Sequence, residues 1–132
     1  MSMYRAVSLV LALLFTMTGV LFLGFPDAAI AFFNTLSPSF GMPQAPASGR
    51  DFYLILAVGY MYLVTILAFS MFRHPVNRLF PMLLAHAKLA SSILSLVPFL
   101  LQAHYLIYLA NFAIDGVIGI VVLMMYLRMR RA

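Results

Sequence analysis

Residues 79–101 read LFPMLLAHAKLASSILSLVPFLL, an apolar run long enough to cross a bilayer but with a lysine, Lys88, near its middle. How this run is placed decides the fold. A lysine at the centre of a transmembrane helix costs about 3 kcal/mol, while each Leu, Ile, Phe or Val returns roughly 0.3 to 0.6. The run holds about a dozen of the latter, so it still inserts. A hydrocarbon core of roughly 30 Å needs about 20 helical residues, and three more stretches qualify. Residues 7–25 and 52–72 carry no charge, and 105–127 carries Asp115. The runs are continuous and do not alternate, which excludes a transmembrane β-barrel.

Composition agrees with this reading. Of the 132 residues 65% are apolar and 8% are charged, with a mean hydropathy of +1.07. Soluble domains carry roughly a quarter charged residues, so this chain is expected to be an integral membrane protein. Residues 1–132 read as a single four-helix transmembrane domain. No nucleic-acid-binding face can be built from so few charges. Cysteine is absent, which removes disulfide scaffolds, thiol catalysis and cysteine-ligated clusters.

Short basic loops resist translocation. With both termini cytoplasmic, Arg5, Arg73, Arg78, Arg128, Arg130 and Arg131 lie inside and only Arg50 lies outside. The expected location is therefore the cell's inner (cytoplasmic) membrane, crossed by several spans, with a basic rim suited to anionic headgroups. Tyr4 and Tyr126 fall at the inner interface, Tyr53 and Tyr105 at the outer one. Arg5 before an apolar run, with Ala29-Ile30-Ala31 beyond it, resembles a secretory signal. The charge-free run exceeds the usual signal core of roughly 7 to 15 residues, so it reads as an uncleaved first helix.

Short links at Arg73–Arg78 and around Pro98, Gln102 and Ala103 make consecutive helices antiparallel neighbours. The outer loop 26–51 is longer and rich in Pro, Gly and Ser towards Ser48-Gly49. Its first part, Asp27–Leu36, reads as a short helix capped by Asp27, with Ile30, Phe32, Phe33 and Leu36 available to the membrane interface. The expected fold is an all-α antiparallel bundle of four transmembrane helices with this surface helix between the first two.

Ionisable groups at membrane depth face the bundle interior and find partners. Lys88, Ser91, Ser92 and Ser95 share one face of the third span, and Tyr108, Asn111, Asp115 and Gly119 share one face of the fourth. At 1.5 Å per residue, Lys88 lies roughly 13 Å and Asp115 roughly 18 Å from the cytoplasmic ends, while Ser95 and Asn111 both lie near 24 Å. Side chains lean towards their own helix N-terminus, so Lys88 and Asp115 are expected to meet through a water or Ser92. Tyr62 and Thr65, with Thr16 and Gly19, are expected to line the same interior. The pair reads first as a buried ion pair fixing helix register, and alternatively as a proton or anion site.

His74, His86 and His104 fall at three different depths, which argues against bis-histidine ligation. His86 is the one candidate for contacting haem or a pigment held with a partner subunit. No cofactor is expected from the chain itself. The three aspartates belong to different segments, and no hydrolase elbow, HExxH or phosphate loop is present. The ten methionines are scattered and read as packing.

The order of parts resembles the DoxX-like group of small four-span bacterial membrane proteins. The likeness lies in a first helix, the Phe25-Pro26 break with its surface helix, Arg50 ahead of the second span, and three closely linked helices. The group's glycine-rich, acidic second helix is missing, since 52–72 has only Gly59. The resemblance implies a small membrane partner of a redox enzyme that exchanges electrons with quinone.

Three functions follow in order of preference. The first is an accessory subunit of a larger membrane assembly, without catalysis of its own, whose partners are other membrane subunits and lipid. The second is a small transporter or proton- or ligand-binding bundle using Lys88 and Asp115. The third is an enzyme acting on a lipid or quinone, with Lys88, Tyr62 or His86 as acid/base groups.

Overall fold

A computed structural model describes residues 3–46 and 51–131. Ser48, Gly49 and Arg50, and the terminal Met1 and Ala132, lie outside the described residues, as do the side chains of Tyr53, Arg130 and Arg131. Among the described residues the chain is all helical: α1 (Met3–Gly24), α2 (Pro26–Leu36), a 3₁₀ turn (Ser37–Phe40), α3 (Asp51–Arg73), α4 (Leu79–Leu101) and α5 (Leu106–Arg131). Four of these helices, α1, α3, α4 and α5, are long and apolar enough to cross a membrane.

The four long helices form two antiparallel pairs, α1 with α3 and α4 with α5, which contact one another chiefly along α3 and α4. Two contacts set the first pair's register. The Arg5 guanidinium lies 4.8 Å from the centroid of the Phe72 ring at one end. Further along, Gly19 faces Met61, whose Cβ would stand 3.2 Å from a side chain placed on that glycine. In the second pair Gly116 and Gly119 face Ser92 and Leu89, and the absence of Cβ atoms there lets the two backbones approach closely.

The interior mixes a few polar and small side chains with an apolar core, and large apolar side chains also cover the outside. Ser8, Ser92, Lys88 and Asp115 are buried together with Ala12, Ala68 and Ala85, while Val10, Leu13, Leu56, Leu63, Leu94 and Val117 point outward. Such an arrangement suits lipid, where outward apolar groups need no cover and helices associate through close packing. Leu11 and Phe15 from α1, Val64 and Met71 from α3, Leu84 from α4 and Val122 from α5 join those alanines in one core. Helical hydroxyls are satisfied locally: Ser8, Thr16, Thr18 and Thr65 donate to the carbonyls of Tyr4, Ala12, Leu14 and Met61, at 2.7 to 2.9 Å. These bonds remove the polar cost of placing a hydroxyl on an apolar helix.

The start of α2 corrects one expectation. Pro26 occupies the first turn, where its missing N–H is no loss, and the cap position is Phe25, which makes no side-chain capping bond. Asp27 sits inside the first turn, where its charge still complements the helix dipole. The helix touches both α1 and α5. Its Asn34 holds the returning chain: Nδ2 donates to the Ala45 carbonyl at 3.0 Å, and the Ala45 N–H donates to Oδ1 at 2.8 Å.

Candidate functional site

The centre of the bundle is an ammonium group. Lys88 Nζ donates to Asp115 Oδ1 at 2.8 Å, with the two side chains 1% and 6% exposed. Contact is direct, and neither a water nor Ser92 is needed as the intermediary. The glycines of α5 draw the two helices together, and the flexible lysine stem spans what is left. Ser92 is used elsewhere, donating to the Phe112 carbonyl at 2.7 Å.

Two rings complete the enclosure. Nζ stands 4.5 Å from the centroid of Phe15 on α1 and 5.0 Å from that of Tyr60 on α3, within the range of attraction between a cation and an aromatic face. One ammonium thus contacts all three of the other long helices. Tyr60 Oη donates to the Ala87 carbonyl at 3.1 Å, so its ring is held from both ends. Asp115 Oδ2 is buried and has no hydrogen-bond partner among the described residues.

A second polar layer lies towards the other end of the pair. Asn111 Nδ2 donates to Ser91 Oγ at 3.3 Å and to Ser95 Oγ, and Ser95 Oγ donates to the Ser91 carbonyl at 2.8 Å. The equal depths reckoned for Ser95 and Asn111 therefore correspond to a contact.

Tyr62 does not join this cluster. It is 70% exposed and lines a shallow lateral depression of about 170 Å³ with Thr16, Gly19 and Met61, on the outside of the α1–α3 pair. The physical reason is helical phase: Tyr60 shares the buried stripe of Val64 and Ala68 at four-residue spacing, whereas Tyr62 is rotated away from it. In a span that is apolar on every side, that stripe gives no sequence signal for Tyr60. Phe15 offered none, because an apolar residue in an apolar span carries no mark of its partner.

His86 faces outward, its Nδ1 2.8 Å from the Met82 carbonyl. His74 lies in the α3–α4 link, and His104 packs against Phe99 at the far end. Among the described residues no three His, Asp or Glu side chains gather as a metal site would require.

A groove of about 520 Å³, open to the side, lies between α3, α4 and α5. Its floor is Ala87, Ala90, Ser91, Leu94 and Ser95 of α4, and its walls include Tyr60 and Tyr108. Tyr60 lines this groove as well as standing over the Lys88 ammonium. No protein-family model, curated protein or solved structure matches this chain.

Proposed function

We propose that this chain is a small interaction subunit of a larger assembly in a bacterial inner membrane, without catalysis of its own. Its four long helices cross the bilayer as an antiparallel bundle, with both termini cytoplasmic and α2 lying in the outer interface. The observation that carries the reading is the lateral groove. Ala87, Ala90, Ser91, Leu94 and Ser95 recur at helical spacing along one open face of α4, mostly small residues of the kind that let transmembrane backbones approach. A partner's transmembrane helix fits there, with Tyr60 and Tyr108 flanking it. The interior offers little chemistry, because the Lys88 ammonium is enclosed by a carboxylate and two rings.

The test is a photo-cross-linking residue at position 90 in native membranes. One discrete adduct with a different protein is expected, lost when Ala87→Phe fills the groove and absent when the probe sits at Met17 on the opposite side. A ladder at multiples of the chain's own mass, or adducts with lipid alone, would rule the partner-helix reading out.

A second reading, a proton- or ion-handling bundle, is favoured by the unpartnered Asp115 Oδ2. It requires that liposomes containing the protein conduct protons, and that the double change Lys88→Met with Asp115→Leu abolish the conduction while leaving the bundle folded.

A further inference from the structure

We infer that the α3–α4 link is a docking surface for the phosphate headgroup of an anionic phospholipid, centred on Arg73, His74 and Arg78. The inference goes beyond the partner-helix reading and requires only that the long helices lie in lipid. The link is a tight turn: the His74 N–H donates to the Ser70 carbonyl at 2.8 Å, and the Asn77 N–H to the His74 carbonyl at 3.0 Å. Asn77 Oδ1 accepts the Leu79 N–H at 3.0 Å, so that side chain is spent on starting α4. The turn leaves an open concavity of about 510 Å³ lined by Arg73, His74, Pro75, Val76 and Asn77. Arg73 and His74 are exposed there, and Arg78, also exposed, ends the turn beside it.

Among the described residues no aspartate lies at this end. Asp51 begins α3 and Asp27 lies in α2, both at the opposite end, while Asp115 is buried against Lys88. Arg128, near the end of α5, adds to the same basic rim. The depth selects the anion. Arg73 closes one apolar helix and Arg78 immediately precedes another, so both guanidinium groups stand at the hydrocarbon boundary, where lipid phosphates lie. A planar guanidinium matches two phosphate oxygens at once. Val76, 86% exposed at the tip of the turn, suits the interfacial region better than open water. A soluble anion or a nucleic acid would require none of this proximity to the apolar spans.

The experiment is native mass spectrometry of the purified full chain in detergent, titrated with phosphatidylglycerol or phosphatidylcholine. Preferential retention of phosphatidylglycerol is expected. Arg73→Gln and Arg78→Gln should each lower its affinity about fivefold, from roughly 1 kcal/mol per basic residue at a membrane surface, and leave phosphatidylcholine unchanged. The double lysine variant, R73K with R78K, should retain phosphatidylglycerol more weakly than the parent but better than the glutamine variants, since it keeps the charge and loses the paired contact, and circular dichroism of all variants checks that the fold is intact. Equal retention of both lipids, or a preference that survives the glutamine pair, overturns the inference. So does competition by inorganic phosphate beyond that of sodium chloride at equal ionic strength, which would identify a site for a soluble anion.

Discussion

At the scale of single residues, Lys88 is held by interactions from three helices, and the roles of its neighbours can be separated by substitution. Asp115→Leu leaves a buried ammonium with only two ring faces, and Lys88→Met leaves an uncompensated carboxylate. Each is expected to destabilise the bundle by about 3 kcal/mol. In the double variant both charges are gone, and the methionine sulfur retains favourable contact with Phe15 and Tyr60. It should lie within about 1 kcal/mol of the parent. Thermal unfolding of the four proteins in one detergent measures the coupling, and simple additivity of the two losses would show that the pair does not act as a unit. The polar half of this cluster was legible in the sequence, because Lys88 and Asp115 are costly in lipid and must find each other. The aromatic half was not, since Phe15 and Tyr60 would be unremarkable on any membrane helix.

At the scale of the elements, the glycines distinguish packed faces from open ones. A Cβ at Gly119 would stand 2.8 Å from Leu89 Cγ and Cδ2 and 3.1 Å from its backbone nitrogen. Gly119→Ala therefore forces α4 and α5 apart, weakening the bundle by about 1 to 3 kcal/mol. A Cβ at Gly59 meets nothing within 4 Å, so Gly59→Ala should be neutral or stabilising by up to about 1 kcal/mol, through helix propensity. Melting temperatures that fall equally for both would mean that α4 and α5 are not closely packed at Gly119. The outer segment supplies a second test. Asn34→Ala removes both bonds to Ala45 and leaves two backbone groups to solvent. Hydrogen exchange and protease cleavage between Gly41 and Pro46 should rise while the melting of the long helices stays unchanged. The surface helix itself was readable from the Phe25-Pro26 break, but its partner residue was not, because a lone asparagine near the end of a short helix gives no sign of a carbonyl eleven residues away.

At the scale of the whole molecule, four antiparallel spans place both ends of the chain on one side, with Arg5, Arg73, Arg78 and Arg128. The excess of basic residues on that side is the ground for proposing that it faces the cytoplasm. Fusions of a reporter active only outside the cytoplasm, at either terminus, should be silent, and an active fusion at both ends would invert the orientation. Adding two arginines beside Asp27 should weaken this preference and produce a mixed population, since short loops sort by their basic residues.

The sequence by itself determined that there are four long apolar helices and, to within a few residues, where each lies, because lipid imposes a length and a polarity that any apolar run either meets or fails. It also determined that Lys88 and Asp115 lie within reach of one another, since a rigid rise per residue converts position into depth. What only the tertiary structure decided is azimuth and neighbourhood. Depth is insensitive to rotation about the helix axis, so Tyr60 and Tyr62 were indistinguishable until packing turned one inward and the other out. The short last link already made α4 and α5 neighbours, but the pairing of α1 with α3 across the long outer segment, and the close approach of both pairs at a few glycines, came from packing. That pairing in turn left the small-residue face of α4 open as a lateral groove.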